Sequence, residues 1–350
     1  MSSPIRIGIV GAGGNSGGHL EACVTTGAAK PIAICDIIKE RAENRQSQYQ
    51  IERAYVDYRE MLEKEDIDAV VVSVPNYIHH EISIAALKAG KHVLCEKPMS
   101  IKREWAEEMV RTAQETGKLL QVGMCARFRP TIQWLRKHIE DGHLGRVYMA
   151  RAQYVRRSGI PGWGGWFTRK EMSGGGPLID IGVHVLDSAW YLMGCPNPVS
   201  VCGATFSELG HRKMGLGSWG RAEWDGFFDV EDFATALIRM DNGAVISLEA
   251  GWAGYTAATH TINLMGSEQG ASLEDNKVAL MSQKDDHDID TMVNMPDRGR
   301  VSVFARQMEA FAKAVRGEGP CMTPGEHGLT VTKMLVGIYE SAAKGAEVRI

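Results

Sequence analysis

GIVGAGGNSGGH, residues 8–19, is the stretch whose reading decides the fold. It follows a short apolar run, Ile5–Val10, and leads into a helical-looking segment that continues to about Thr26. Glycine suits such a junction because it accepts backbone conformations closed to other residues. Gly11 permits a tight turn, and Gly13 lets the backbone approach a pyrophosphate. The helix start then offers N–H groups and a favourable dipole to the phosphates. Gly14, Asn15 and Ser16 complete the candidate phosphate-binding turn, with Ser16 where the dinucleotide fingerprint has a third glycine. Taken alone, the stretch also fits a glycine-rich surface turn.

The next strand, Pro31–Cys35, ends at Asp36, twenty-five residues after Gly11. An acid at that place accepts hydrogen bonds from the ribose hydroxyls of NAD and repels the additional phosphate of NADP. Ile37 brings no compensating cation, so NAD is the expected cofactor, preferred over NADP. Arg41, on the helix expected over about Ile38–Tyr49, is a further candidate cofactor contact. The alternation continues through Ala69–Val74, a helix near His79–Ala89, His92–Cys95, a helix Lys102–Thr116 and Leu119–Val122. AVVVSV, residues 69–74, is nearly all β-branched and apolar, as a strand covered on both faces should be. Strands and helices in strict alternation predict an α/β domain with a parallel sheet.

After Gly123 the rhythm changes. A helix at about Thr131–Glu140 leads to a turn and a long strand in GHLGRVYMARAQYV, residues 142–155. Strand candidates follow at Val199–Thr205, Phe233–Arg239, Ala244–Ala250 and Thr259–Met265, with a type I′ hairpin turn expected at MDNGAV, 240–245. Helices at about Ser302–Val315 and Glu326–Lys344 close the chain, and 207–226 reads as a long loop. The expected architecture is an N-terminal Rossmann domain over 1–124 and, over 125–350, an α+β domain with an open, mainly antiparallel sheet.

Composition agrees with a protein of this kind. Hydrophobic residues make up 44% of the 350 and charged residues 23%, which permits a sizeable core. A net charge of −4 argues against a general nucleic-acid binder. No apolar run reaches membrane-span length, and the chain enters a strand at once, so no signal peptide is expected. The seven cysteines form no C-x-x-C pair and the eleven histidines no H-x-x-x-H pair, so neither a disulfide framework nor a metal site is expected. The cytoplasm is the expected compartment.

A second stretch, SGGGPLIDIGVHVLD at 173–187, carries candidate chemistry. Asp180, His184 and Asp187 recur at spacings of four and three, which places them on one helix face. An amphipathic helix with a solvated stripe would give the same pattern.

VSVPNYIHHEISIAALKAGKHVLCEKPMS, 72–100, resembles the glucose–fructose oxidoreductase, inositol dehydrogenase and rhizopine-catabolism (Gfo/Idh/MocA) family. Its P-N-x-x-H falls on Pro75, Asn76 and His79, its E-K-P on Glu96, Lys97 and Pro98, and its G-G-G-x-x-x-D-x-G-x-H on Gly174 to His184. ARFRP (126–130), GHLGRV (142–147) and TPGEHGLTVTKMLVGIYESAAKG (323–345) also fit, so the likeness runs from about residue 5 to 345. The departures are Ser16 and the 207–226 loop. The resemblance implies an oxidoreductase that moves a hydride between NAD(P) and a secondary hydroxyl of a sugar, sugar derivative or inositol. It implies cofactor contacts at Pro75, Asn76, His79, Glu96 and Lys97. It also makes His184 the general base, Asp180 a hydroxyl-binding group, and Lys97 a hydrogen-bond donor that relays the proton. Alcohol oxidation needs such a proton acceptor while the hydride departs.

Further substrate contacts are expected from YVRRSGIPGWGGWFTRKE, 154–171. Trp163 and Trp166 could stack on a pyranose, and Arg156, Arg157 and Arg169 could hold hydroxyls or a carboxylate; core packing and solvation explain them equally well. Arg127 is another candidate, whereas Asp187 is expected to cap or be solvated. The runner-up function is a redox-assisted glycoside hydrolase that keeps NAD bound. A third is a non-catalytic NAD-sensing protein. The exposed face of an open sheet predicts a homodimer or homotetramer.

Overall fold

The computed structural model describes residues 3–274, 277–295 and 301–350. The chain begins with β1 (Ile5–Val10), α1 (Gly14–Thr26), β2 (Ala29–Cys35), α2 (Lys39–Tyr49), β3 (Arg53–Tyr55) and α3 (Tyr58–Lys64). It continues with β4 (Ala69–Val72), α4 (His79–Lys88), β5 (His92–Cys95), α5 (Arg103–Thr116) and β6 (Leu120–Val122). These six strands form one sheet in the order β3-β2-β1-β4-β5-β6, every pair parallel. That is the doubly wound order, with its reversal beside β1, where such sheets take ligands. All four residues of β4 are buried, as its β-branched run predicts. β2 starts two residues before the expected Pro31, and the ladder with β1 shifts register there. A bulge accommodates a proline that has no N–H to donate.

The second part comprises α6 (Pro130–Glu140), β7 (Val147–Val155), α7 (Lys170–Ser173), a π-helical turn (Leu178–Gly182) and α8 (Val183–Leu192). Then come β8 (Pro198–Phe206), β9 (Phe233–Met240), β10 (Val245–Gly251), β11 (Thr259–Gly266), β12 (Gly270–Glu274), β13 (Lys277–Lys284) and β14 (His287–Val293). α9 (Val303–Val315), α10 (Gly325–Lys344) and β15 (Val348–Arg349) end the chain. The nine strands run β14-β13-β12-β11-β7-β10-β9-β8-β15, and all pairs except β7–β10 are antiparallel. α8 packs on β7, β10 and β11.

Five strands, β3 and β12 to β15, were not expected from the sequence. β14 is exposed along almost all its length. Ladder hydrogen bonds hold it rather than burial, so it leaves no apolar period to read. The turn at 241–243 also differs from expectation. Only Gly243 has a positive φ there, and the Gly243 N–H bonds the Met240 carbonyl. This is a three-residue loop ending in a left-handed glycine, not a type I′ turn, which needs two positive φ values. The 207–226 segment is a loop apart from a 3-10 turn at Gly210–Arg212.

The chain divides into two units: Met1–Phe128 with Arg298–Leu329, and Arg129–Asp297 with Thr330–Ile350. The first unit is therefore not the contiguous 1–124 expected. Ala305, Met308, Phe311 and Ala312 of α9 share a buried cluster with Leu20 and Cys23 of α1 and with Ile5, Ile7 and Ile9 of β1. An apolar helix face joins the core that covers it, wherever it lies in sequence. Among the described residues, no helix is long and apolar enough to cross a membrane.

Candidate active site

In the first unit the glycine loop connects β1 to α1. Gly11 has φ +100°, and a Cβ there would lie 2.0 Å from the Ser73 carbonyl oxygen, so only glycine fits. Gly13 and Gly14 have nothing within 4 Å of an added Cβ. No side chain caps α1, and its first turn carries no acid. The N–H groups of Gly14 and Asn15 thus stand at an uncapped helix start, a site suited to an anion. Ser16 is buried, and its hydroxyl donates to the Gly13 carbonyl at 2.6 Å, which shapes the loop. Asp36 accepts from the Ala12 N–H at 2.8 Å and from the Ile38 N–H at 2.9 Å. Its half-buried carboxylate is thereby fixed at the end of β2, beside the loop. These features fit a dinucleotide.

Arg41 is exposed on α2. The cation that reaches the loop is instead Arg45, one helical turn on, with Nη2 donating to the Gly13 carbonyl at 3.3 Å. The sequence held a signal for it: Ala42, Arg45 and Tyr49 share the inward side of α2 by helical spacing.

Pro75 and the buried Asn76 follow β4, and Glu96, Lys97 and Pro98 follow β5, at the carboxyl ends of adjacent strands. The Lys97–Pro98 peptide is cis. Lys97 is half-buried, whereas Glu96 is 5% exposed. Glu96 Oε1 lies 2.7 Å from Nε2 of the fully buried His19, and Glu96 Oε2 accepts from the Lys97 N–H at 3.2 Å. Burial by itself would push the Glu96 carboxyl up; the His19 hydrogen bond, His19, Lys97 and His79 outweigh it and hold it below the usual range. His79 is also fully buried, with Nδ1 2.8 Å from the Pro98 carbonyl and Nε2 2.9 Å from the Val74 carbonyl. Burial lowers its pKa against those carbonyls. His79 thus braces the two strand ends and is enclosed by protein.

In the second unit the candidate chemistry lies on the π-helical turn and α8. From Pro177 to Trp190 every residue is buried except Asp180 and His184, which are half-buried and one turn apart. This is not the solvated stripe of a surface helix, because Asp187 and Ser188 are 1% and 2% exposed. Asp187 is therefore not a solvated group. A π turn adds a residue to the helix and often marks a functional position. Asp180 Oδ2 accepts from the indole N–H of the fully buried Trp252 at 3.0 Å.

The triple glycine serves packing within this unit. A Cβ at Gly175 would lie 1.9 Å from the Tyr339 hydroxyl, and one at Gly176 2.0 Å from the Glu231 carbonyl oxygen. Glu231 is 7% exposed and accepts from the N–H groups of Gly176 (3.0 Å) and Leu178 (3.1 Å) and from the Tyr339 hydroxyl (2.8 Å). It thereby satisfies donors that a helix start leaves unpaired. Burial pushes the Glu231 carboxyl above its usual range despite these donors, and burial beside that carboxyl pushes Tyr339 up as well. Neither residue was expected at the site. Nothing local in the sequence links positions 176, 231 and 339.

The expected pocket wall is largely internal structure. Trp163 is 6% exposed, donates to the Gly210 carbonyl at 2.8 Å and stacks on Trp224. Trp166 is half-buried against Phe167. Arg169 donates to the Gly164 carbonyl and pairs with Glu223, joining two loops. Arg127 is fully buried in the first unit, on the Met322 carbonyl and His327. A sugar cannot reach a side chain so enclosed. Arg156 is half-buried and donates to the Tyr154 hydroxyl at 3.1 Å; Tyr154 stacks on His260. Arg157 is exposed. Among the described residues, no group of three or more His, Cys, Asp or Glu is placed to hold a metal ion.

The chain is similar to known proteins. Residues 5–124 match the family model described as "Oxidoreductase family, NAD-binding Rossmann fold", and 132–272 match the GFO/IDH/MocA C-terminal domain. The chain is 35% identical to D-glucoside 3-dehydrogenase of Escherichia coli (strain K12), over all of this chain and 98% of that protein. It is 26% identical to myo-inositol 2-dehydrogenase of Thermotoga maritima, over 98% of this chain and 96% of that protein. A solved structure of levoglucosan dehydrogenase in complex with NADH and levoglucosan superposes with a TM-score of 0.88 at 25% identity, covering 99% of each chain. The chain belongs to the GFO/IDH/MocA oxidoreductase family, and its N-terminal domain is an NAD-binding Rossmann fold.

Proposed function

We propose that this GFO/IDH/MocA family member oxidises a secondary hydroxyl of a sugar glycoside, sugar derivative or cyclitol, with NAD preferred over NADP. One observation carries the reading: in an otherwise buried run of fourteen residues, Pro177–Trp190, only an acid and a histidine one turn apart stay accessible. Partly exposed polar groups on a buried helix are better explained by a ligand than by stability. His184 takes the hydroxyl proton. Asp180, aimed by Trp252, accepts from a neighbouring hydroxyl. Lys97 donates a hydrogen bond to the reacting oxygen and relays the proton. In the first unit Gly13, Gly14 and Asn15 receive the pyrophosphate, with Arg45 adding positive charge at the loop. Asp36 accepts from a ribose hydroxyl and repels a phosphate in its place. Pro75 and Asn76 line the end of β4, and His79 and Glu96 hold the Pro98 carbonyl and the Lys97 N–H. The dinucleotide supplies the hydride acceptor.

The relative that matches the whole chain at 35% identity is a D-glucoside dehydrogenase, which favours a glucoside as the first probe. The test incubates purified protein with NAD+ and methyl β-D-glucopyranoside, levoglucosan, myo-inositol or para-nitrophenyl β-D-glucopyranoside. One channel follows NADH and the other nitrophenol. NADH in step with substrate loss is expected. Nitrophenol release without net NADH would replace this reading with redox-assisted glycoside cleavage. We further propose a cytoplasmic homo-oligomer that covers one face of the nine-stranded sheet; a monomer by sedimentation at micromolar concentration would refute it.

A further inference from the structure

His19 and His79, both fully buried, each hold a residue next to Lys97. His79 holds the Pro98 carbonyl at 2.8 Å. His19 holds Glu96 Oε1 at 2.7 Å, while the other oxygen of that carboxylate accepts from the Lys97 N–H. His19 belongs to α1, the helix that opens at the glycine loop, one turn beyond Ser16. Its ring is wedged edge-on against Phe304 of α9, with centroids 5.0 Å apart. Its Nδ1 is buried without a hydrogen-bond partner. A carboxylate only accepts, so Nε2 carries the proton in the His19–Glu96 bond. A buried polar ring with one nitrogen unsatisfied is a poor choice for packing alone. A leucine would fill the space without that penalty.

We propose that His19 is a positioning residue for Lys97, acting through Glu96, so that the helix which receives the dinucleotide also sets the field and backbone at the lysine. The inference rests on the reading that Lys97 takes part in the chemistry. The Nε2–H donor orients Glu96, whose other oxygen holds the Lys97 N–H, and a carboxylate beside an ammonium favours the charged form. The titratable groups around this point are Glu96, His19 of α1, His79 at the start of α4 and Cys95 at the end of β5. Burial keeps the Cys95 thiol neutral, with its pKa pushed up to about 12.

The test reads Lys97 directly, without substrate. The full-length protein is reductively methylated with carbon-13 formaldehyde. The Lys97 resonance is assigned by its loss in Lys97→Arg, and its titration is followed by NMR. His19→Leu and Glu96→Gln should each lower the Lys97 midpoint by about one pH unit. His19→Gln, whose amide N–H reaches the same oxygen, should restore it. If the leucine variant does not fold, His19→Asn, too short to reach Glu96, gives the same readout. A midpoint that stays in place in His19→Leu or His19→Asn while it moves in Glu96→Gln would make His19 packing only and overturn the proposal. So would a midpoint unmoved in all of them. With methyl β-D-glucopyranoside as the probe, kcat of His19→Leu should fall about tenfold while KM for NAD+ holds. Full turnover in Lys97→Met would instead remove Lys97 from the proposed chemistry, a failure distinct from an unmoved midpoint.

Discussion

Replacing Glu231 with alanine should loosen the start of the segment that carries Asp180 and His184. The carboxylate accepts from two backbone N–H groups, of Gly176 and Leu178, and from the Tyr339 hydroxyl, all in the interior. A buried donor left without its partner costs about 1–3 kcal/mol. Two effects reduce the total. Burial already holds the Glu231 carboxyl above its usual range, so removing it relieves a desolvation penalty. A cavity of about 280 Å³, lined by Lys170, Asp229, Glu231 and Tyr339 among others, can admit water to the orphaned donors. The net loss should be roughly 2–4 kcal/mol, because three unpaired donors outweigh one relieved carboxyl. For a unit of this size that is a fall in Tm of about 4–16 °C. Calorimetry on Glu231→Ala, Tyr339→Phe and the double variant tests the reasoning. Tyr339→Phe removes one donor and should cost about 1 kcal/mol in the parent. In the alanine background it should cost less, because its acceptor has gone. A Glu231→Ala protein that melts with the parent, or a double variant in which the two losses add, would refute the account.

Other outcomes follow from the same geometry. His184→Ala should lower turnover of the glucoside probe by about 10²–10⁴ while NADH fluorescence titrations stay unchanged; an unaltered rate removes His184 from the mechanism. Asp36→Ala should raise the NADP+ to NAD+ ratio of kcat/KM by about tenfold or more, since it removes both a ribose acceptor and the repulsion of a phosphate; a ratio that does not move contradicts the assigned role. The pH dependence of stability should show His79. Its folded pKa lies below the unfolded value because burial disfavours the cation, so the unfolded chain takes up a proton first. Stability is then full above about pH 6.5 and falls as pH drops toward the folded pKa. Glu96, held low, adds a separate loss only below about pH 4.5. Thermal melts between pH 7.5 and 5 should show the first decline, and His79→Gln should flatten it; an identical slope in that variant would exclude His79 as its source.

Much of the fold was legible along the chain. β1, α1 and β5 fall where apolar runs, glycines and spacing put them, and strict alternation dictated the parallel sheet. The glycine loop was readable because a φ of +100° and a 2.0 Å approach to the Ser73 carbonyl leave Gly11 no substitute. The position of Asp36, at a strand end next to that loop, was readable too. β14 was not, because an exposed strand held by its ladder carries no apolar period. The pocket wall was misjudged at Trp163 and Arg127, since an indole or a guanidinium reads the same in sequence whether it meets a ligand or an interior carbonyl.

The sequence by itself determined the strand–helix alternation behind the parallel sheet, the dinucleotide loop and the spacing of Asp180 and His184, because each depends on residues a few positions apart. Only the tertiary structure decided which polar groups are buried and what holds them. His19 meets Glu96 across 77 positions, Trp252 meets Asp180 across 72, and Tyr339 meets Glu231 across 108. Such partners are chosen by packing, which brings distant segments within hydrogen-bond reach and leaves no mark on the local pattern. The same packing buried Asp187 and left His184, three residues earlier, half-buried.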